Sequence, residues 1–260
     1  MGMFDGAKAT IAGNKAYRIH VDANKAAREG RPEEARAKYQ EALRIYDQAA
    51  QLGNRAANIV LSHAILLMRE GELEKGRLML EELSRDQKLS DEHRFQLRVF
   101  YSIYLWRIGE LDRAIETMGR AARFKMNSDV YGNLGMFWVY KARQTGEFDA
   151  ALEFNQKAMD YDDEDASTLD NMGQLYQAMA EAEAGEKAEE YMKKALDYYK
   201  KAHAANPRQI TTIYYLASLY HRAGQDDKAR KLLSARDTLY FSAINPVSRE
   251  MMDALVAEVG

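Results

Sequence analysis

The chain has 260 residues, 47% of them hydrophobic, which is enough to bury a sizeable core in one or two domains. Its 37 basic and 40 acidic side chains give a net charge of −3, which argues against nucleic acid or an anionic membrane as a partner. The absence of cysteine excludes disulfides, thiolate metal sites and a cysteine nucleophile, and we expect a cytoplasmic protein.

Helix-forming residues dominate from about residue 14 onward, and short glycine turns divide them into pairs of helices. In each turn a glycine ends one helix and acidic residues open the next. The turns read, in chain order, REGRPEEA (28–35), REGELEKG (69–76), RIGELDRA (107–114), TGEFDAA (145–151) and RAGQDDKA (222–229). Gly30, Gly71, Gly109, Gly146 and Gly224 are therefore predicted to adopt the left-handed backbone conformation, which penalises residues that carry a Cβ atom.

Both helices of each pair carry a small residue at a matching place. In the second helices these are Ala35, Gly76, Ala114, Ala151, Ala195 and Ala229, and in the first helices they are Ala23, Ala64, Ser102, Gly135, Gly173 and Ala217. Small side chains allow two helix axes to approach within about 8–10 Å. The sequence therefore predicts about six helical hairpins.

A shorter helix is predicted after the last hairpin. Asn245 and Pro246 suit the N-cap and the first helical position. Val247, Met251, Leu255 and Val259 follow at spacings of four and form one apolar stripe. We interpret residues 1–13 as a lead segment, 14–245 as the repeat domain, and 246–260 as a helix that caps the last apolar face of the array.

The hairpins resemble the tetratricopeptide repeat. The first-helix signature of that family, Leu-Gly followed by an aromatic residue, is matched by Met172-Gly173 with Tyr176, Leu134-Gly135 with Trp138, and Leu216-Ala217 with Tyr220. The second-helix signature of alanine, aromatic and alanine with a closing proline is matched by Ala195, Tyr199, Ala202 and Pro207. The resemblance covers roughly residues 14–240 and implies an all-α solenoid with a C-terminal capping helix.

No motif for catalysis or for a cofactor is found. The five histidines lack the HExxH and H-x3–5-H spacings, and neither GxxxxGK[ST] nor GxGxxG occurs. His63 is expected to be a packed, hydrogen-bonded core residue, and Asp165 is expected to cap the helix that begins near Ala166. The sequence contains no run of about 18 apolar residues, so it predicts no membrane span. We therefore predict a chain that is not an enzyme and that has no metal, cofactor or membrane segment.

The resemblance implies that first helices line a concave face, on which the residues beside the packing stripe face a groove. The central sets are apolar: Leu61, Ile65 and Met68; Val99, Ile103 and Trp106; Met136 and Val139. The outer sets are mostly polar and include His20, Asn24, Asp170, Gln174, Gln177, Tyr214, Ser218 and His221. Asn133 and Asn171 occupy equivalent places where family members hold a peptide backbone.

These observations predict a non-enzymatic scaffold or adaptor that binds a peptide or helix of a partner protein in the groove, with Leu61, Ile65, Met68, Val99, Ile103, Trp106, Asn133, Met136, Val139 and Asn171 as binding residues. Ile65, Ile103, Trp106 and Met136 are then expected to be partly accessible to solvent. Alternatively, the lengthened helices close over this stripe and make it core. The alternative function is a self-assembling structural repeat protein that oligomerises through its ends, and weak homo-oligomerisation is compatible with either function.

Overall fold

The structure is a computed structural model that describes residues 3–260, with side chains described from residue 6 onward. The described residues form thirteen α-helices and no strand, which confirms the predicted all-α class. The helices are α1 (Met3–Arg28), α2 (Pro32–Gln51), α3 (Ala57–Arg69), α4 (Leu73–Ser84), α5 (Asp91–Arg107), α6 (Leu111–Ala122), α7 (Ser128–Thr145), α8 (Asp149–Tyr161), α9 (Ala166–Glu181), α10 (Gly185–Ala205), α11 (Ile210–Arg222), α12 (Asp226–Leu233) and α13 (Arg249–Val259). Within these residues, no helix is both long and apolar enough to cross a membrane.

The predicted glycine turns are confirmed. Gly30, Gly71, Gly109, Gly146 and Gly224 have φ angles between 67° and 95°. A further turn of this kind, which the sequence pattern did not reveal, lies at Gly185 with φ 64°, where α10 begins. Asp165 caps α9 as expected, because its Oδ1 accepts a hydrogen bond of 2.8 Å from the backbone of Thr168.

Contacts divide the chain into two compact units. Unit 1 comprises the residues up to Tyr104 together with Asp237–Asn245, and unit 2 comprises Leu105–Arg236 together with Pro246–Gly260. In unit 1, α1 packs on α2 and α3 on α4; in unit 2, α7 packs on α8, α9 on α10 and α11 on α12. The boundary predicted at residue 14 falls inside α1, so the described part of the lead segment continues that helix. Met1 and Gly2 lie outside the described residues.

Close approach at the small residues explains why the hairpins form. A Cβ atom on Gly76 would lie 2.8 Å from the backbone oxygen of Ala64, and one on Gly173 would lie 2.7 Å from a ring carbon of Tyr199. Tyr199 is fully buried, and its hydroxyl donates a hydrogen bond of 2.9 Å to Gln177. The predicted pairing of small residues is thus confirmed for Ala64 and Gly76, whereas Gly173 makes room for the ring of Tyr199.

A segment distant in sequence completes unit 1. The ring of Tyr240 packs on Tyr39 with centroids 4.9 Å apart, and its hydroxyl donates to Glu70. The backbone of Ala243 donates a hydrogen bond of 2.7 Å to the carbonyl oxygen of Arg69. These contacts tie residues 237–245 to α2 and α3, although the sequence predicted only that they follow the last hairpin.

His20 on α1 is buried between aromatic rings rather than facing solvent. It is 5% exposed and makes edge contacts with Tyr39 and Tyr46. Burial, together with the charges of Arg69 and His63, lowers the pKa of His20 from 6.5 to about 4. As the pH falls below 6.5 the unfolded chain binds a proton at this imidazole, whereas the folded chain binds it only near pH 4.

We therefore expect His20 to reduce the free energy of unfolding by about 2 kcal/mol between pH 7 and pH 5. Urea unfolding at the two pH values measures the loss. His20→Gln removes the titrating group and should flatten the difference by about this amount. An equal loss of stability in the variant would contradict the assignment.

The C-terminal helix begins later than predicted. Its N-cap is Ser248, whose hydroxyl accepts from the backbone of Met251 at 3.2 Å, rather than Asn245. This start places Met252, instead of Met251, on the buried face with Leu255 and Val259. α13 packs on α11 and α12, and Arg230 of α12 donates a hydrogen bond of 2.8 Å to the carbonyl of Val259.

Two substitutions on α13 test its predicted capping role. Leu255 is 5% exposed and Met251 is 38% exposed. Leu255→Ala should lower the free energy of unfolding by about 2–5 kcal/mol, because it leaves a cavity inside unit 2. Met251→Ala, on the same helix, should change it by less than about 0.5 kcal/mol. Equal effects in denaturant titrations would show that α13 does not cover an apolar face.

Candidate functional site

The predicted binding residues of unit 1 divide into buried and half-buried groups. Leu61 and Met68 on α3 and Val99 on α5 are buried. Ile65 and Ile103 are half-buried, as expected for residues that a partner can reach. The buried residues of each set are thus core, and one residue of each set remains accessible.

In unit 2, the accessibility expected for Trp106 is wrong. The side chain is 9% exposed and lies between two aromatic residues of α7. Its ring stacks on Phe137 at 6.2 Å between centroids and contacts the edge of Tyr140 at 5.6 Å. Val139 is fully buried as well, whereas Met136 is half-buried. The spacing of apolar residues along α5 did not show that aromatic residues of α7 cover the last turn of α5.

The two predicted asparagines bind this chain's own backbone. Asn171, 3% exposed on α9, donates a hydrogen bond of 2.8 Å to the carbonyl of Gly132 on α7. Asn133, which is half-buried, donates a hydrogen bond of 2.7 Å to the carbonyl of Asp129 in its own helix. Asn171 therefore joins two first helices. The partner-binding role of these asparagines and of the apolar stripe stays a prediction.

A polar cleft lies in unit 2 between the C-terminal halves of the first helices α7, α9 and α11. Its volume is about 470 Å³, within the range of about 300–1,000 Å³ that is usual for binding pockets. The lining comprises Arg143, Gly146, Phe148, Gln177, Ala178, Glu181, Ala182, Tyr214, Tyr215, Ser218 and Arg222. Gln177, Tyr214 and Ser218 belong to the stripe that the sequence placed on the groove face. Arg143, Tyr215 and Arg222 were missed.

Arg143 is the unusual group in this cleft. Its guanidinium lies over the ring of Tyr215, 5.4 Å from the centroid. Nη1 donates to the Tyr215 hydroxyl at 3.4 Å and Nη2 to the carbonyl of Gln174 at 3.3 Å, both long for hydrogen bonds. Nε is buried without a partner. No carboxylate of the described residues lies within 4.0 Å of this guanidinium.

The nearest polar network bonds to groups other than Arg143, although the charge of Arg143 acts on Asp170 at longer range. Asp170 on α9 accepts hydrogen bonds from Thr212 at 2.6 Å and from Gln174 at 2.8 Å. Burial raises the pKa of this fully enclosed carboxyl, because desolvation disfavours its charged form. At the rim, Glu181 pairs with Arg222 at 3.3 Å. Opposite charges thus offset each other at the rim, while Arg143 retains a positive charge facing the cavity.

The fold matches known helical-repeat structures at low sequence identity. TTC0263, a thermophilic TPR (tetratricopeptide repeat) protein in Thermus thermophilus, superposes with a TM-score of 0.51 and 19% identity, over 64% of this chain and 80% of that one. A tetratricopeptide repeat protein from Parabacteroides merdae superposes with a TM-score of 0.53 and 10% identity, over 95% and 86% of the two chains.

The human IFIT1 dimer with m7Gppp-AAAA gives a TM-score of 0.62 at 19% identity. It matches 84% of this chain, which spans about half (48%) of IFIT1. No protein-family model and no curated protein matches the chain in sequence. These similarities therefore establish the fold, and the residues of the cleft must carry any argument about function.

Proposed function

We propose that this chain, which has the tetratricopeptide-repeat fold, is a non-enzymatic scaffold that binds a partner polypeptide on its first-helix faces. Arrays of this fold generally act as protein-interaction scaffolds. In unit 2, the cleft between α7, α9 and α11 would receive an acidic group of the partner. The cytoplasmic location expected from the sequence stays a prediction.

The observation that supports an acidic ligand is the half-buried guanidinium of Arg143, which has no carboxylate within 4.0 Å among the described residues. Removing a cation from water costs several kcal/mol, and an anion with suitable geometry offsets that cost. A guanidinium presents its N–H groups in a planar fork that matches a carboxylate. Beside it, the hydroxyls of Tyr214 and Ser218 could hydrogen-bond a peptide backbone.

The half-buried apolar residues of the predicted stripe would contribute separately in each unit. In unit 1, Ile65 and Ile103 would contact apolar side chains of the partner, and in unit 2 Met136 would do so, with Asn133 beside it. The buried members of the stripe would pack beneath these residues and hold their side chains in position. This division retains the predicted binding face but assigns its polar end in unit 2 the role of orienting the partner.

Selection from random peptide libraries tests the proposed function. Libraries with internal and with free C-terminal random segments would be panned on the full chain and counter-selected on Arg143→Gln. We expect the selected peptides to share an acidic residue or the terminal carboxylate at one fixed position. Their affinity for the variant should be lower by a factor of about ten or more. Failure to enrich any peptide, or equal binding to Arg143→Gln, would contradict the proposal.

A nucleotide partner fits this cleft less well, because Glu181 places a negative charge at the rim beside Arg222. The IFIT1 structure nevertheless contains m7Gppp-AAAA. Adding that molecule to the chain provides a direct comparison. Tight binding that depends on Arg143 would favour a nucleic acid over a peptide.

Self-association is the second candidate function, and one observation favours it. Ile11, Tyr17 and Val21 on α1 are 69%, 44% and 43% exposed, so α1 presents apolar and aromatic side chains that a second copy could cover. Light scattering at rising concentration would detect assembly through this end. Substitution of Ile11 and Val21 by Gln should then abolish the increase in mass.

A further inference from the structure

A second cavity lies in unit 1; it shares α3 with the proposed binding face but is lined by other residues of that helix. It is enclosed by the end of α2, by α3 and by α4, and its volume is about 640 Å³. The base is apolar and aromatic: Tyr46, Ile59, Leu67 and Leu83 line it and are all buried. The mouth is charged. This combination of a dry base and a charged mouth suits a ligand with an apolar stem and a polar head.

His63 forms part of the wall of the cavity. The imidazole is 4% exposed and stacks on Tyr46 with ring centroids 5.1 Å apart. The expected burial is confirmed, but the expected hydrogen bond is not, because Nε2 has no hydrogen-bond partner. The nearest carboxylate oxygen, Oδ1 of Asp47, is 3.4 Å from it. Burial lowers the pKa of His63 and favours the neutral ring, which has one nitrogen able to accept a hydrogen bond.

The electrostatics of the mouth favour a cation. Asp47, Glu82 and Asp86 line it, and the carboxylates of Asp47 and Glu82 form no ion pair with a lysine or arginine among the described residues. The C-terminal ends of α2 and α4 also border the cavity, and neither has a basic residue in its last turn. Arginines stand at both helix ends, since Arg55 donates to the carbonyl oxygen of Ala50 and Arg85 is the C-cap of α4, so the carboxylates are the main source of negative potential at the mouth.

Two basic side chains also line the mouth, but neither forms an ion pair with its carboxylates. Arg55 donates to the carbonyl oxygens of Ala50 at 3.3 Å and of Asn54 at 3.1 Å. Lys75 pairs with Glu72 at 3.1 Å, outside the lining of the cavity. Neither side chain neutralises Asp47 or Glu82 by direct contact. The cavity thus combines an apolar base with acceptors that lack a cationic donor.

We infer that this cavity is a binding site for a lysine side chain of a partner protein, with the aliphatic stem on Ile59, Leu67 and Leu83 and the ammonium donating to Asp47. Glu82 adds long-range attraction at the mouth. The site goes beyond the proposed scaffold function, since it uses other residues and selects the opposite charge. A partner segment with a lysine among apolar residues has the required chemistry.

The probe is Nα-acetyl-lysine N-methylamide, titrated into the full chain, with Nα-acetyl-norleucine N-methylamide as the uncharged equivalent. Met79 lines the cavity, so its methyl resonance in a proton–carbon spectrum reports occupancy, and Met79→Leu assigns that resonance by its loss. We expect the lysine compound to shift the resonance at concentrations at least about threefold lower than the norleucine compound.

Charge-neutral variants locate the interaction. Asp47→Asn and Glu82→Gln should each weaken the response to lysine by roughly two- to fivefold, the range measured for exposed ion pairs. Glu41→Gln, on α2 but outside the lining, should leave it unchanged. Equal response to norleucine, no response, or no effect of Asp47→Asn would overturn the inference. A response to calcium chloride in place of lysine would also overturn it, by identifying a metal site.

Discussion

Trp106→Ala should lower the free energy of unfolding by about 3–5 kcal/mol, the loss expected when a buried large aromatic residue is removed. The side chain is 9% exposed, and its contacts with Phe137 and Tyr140 join the end of α5 to α7 within unit 2. A small residue there would leave a cavity that these rings cannot fill without moving. Denaturant titration followed by circular dichroism measures the change.

Ile108→Ala is the matched control for this substitution. Ile108 lies two residues further along the chain and is 45% exposed, so its truncation should change stability by less than about 0.5 kcal/mol. If Trp106→Ala were as stable as the control and yet lost a selected peptide, Trp106 would be an accessible anchor, as the sequence first suggested. A large loss of stability would instead confirm its place in the core.

The hairpins could be predicted from sequence because their determinants are local. A glycine with positive φ and a small residue at a close helix contact both act within one repeat. The role of Gly71 in a turn and that of Gly76 in a helix contact could therefore be inferred from the local sequence. The same reasoning located Asp165 as an N-cap, since its carboxylate bonds to a backbone group only three residues away.

The residues that were assigned wrongly depend on partners far away in sequence. A stripe at helical spacing shows which residues share a face, but not which neighbouring helix covers that face. Trp106 was assigned to the groove because its spacing matched Ile103, yet Phe137 and Tyr140, some thirty residues later, bury it. The contact between Tyr240 and Tyr39 is longer-ranged still and has no local signal.

For the same reason, only some of the residues that line the candidate cleft could be predicted from the sequence. Spacing placed Gln177 and Ser218 on the groove face, and they line the cleft. Arg143 was not predicted as a site residue, because an arginine near a helix C-terminus is ordinary on a solvated surface. Its significance depends on the lack of a carboxylate partner, a property of α9 and α11 together that a single helix cannot reveal.

Arg143→Met should separate binding from stability. Arg143 is half-buried and has no carboxylate partner, and replacing such a charge by an apolar side chain of similar length is often neutral or stabilising, so we expect the free energy of unfolding to stay constant or to rise by about 1 kcal/mol. Affinity for an acidic peptide selected on the native chain should fall by about 10- to 150-fold, because a charged hydrogen bond contributes about 1.5–3 kcal/mol. Calorimetric titration and denaturant unfolding measure the two quantities.

Two further variants make this prediction specific to Arg143. Arg143→Lys keeps the charge but loses the planar fork, so it should recover only part of the affinity. Arg222→Met removes a rim arginine that is 60% exposed and paired with Glu181, so its effect on affinity should be within about fivefold. If Arg143→Met destabilised the fold by more than about 2 kcal/mol and bound the peptide unchanged, the guanidinium would be a structural link between α7, α9 and α11. The acidic ligand would then have to bind elsewhere on the first-helix faces.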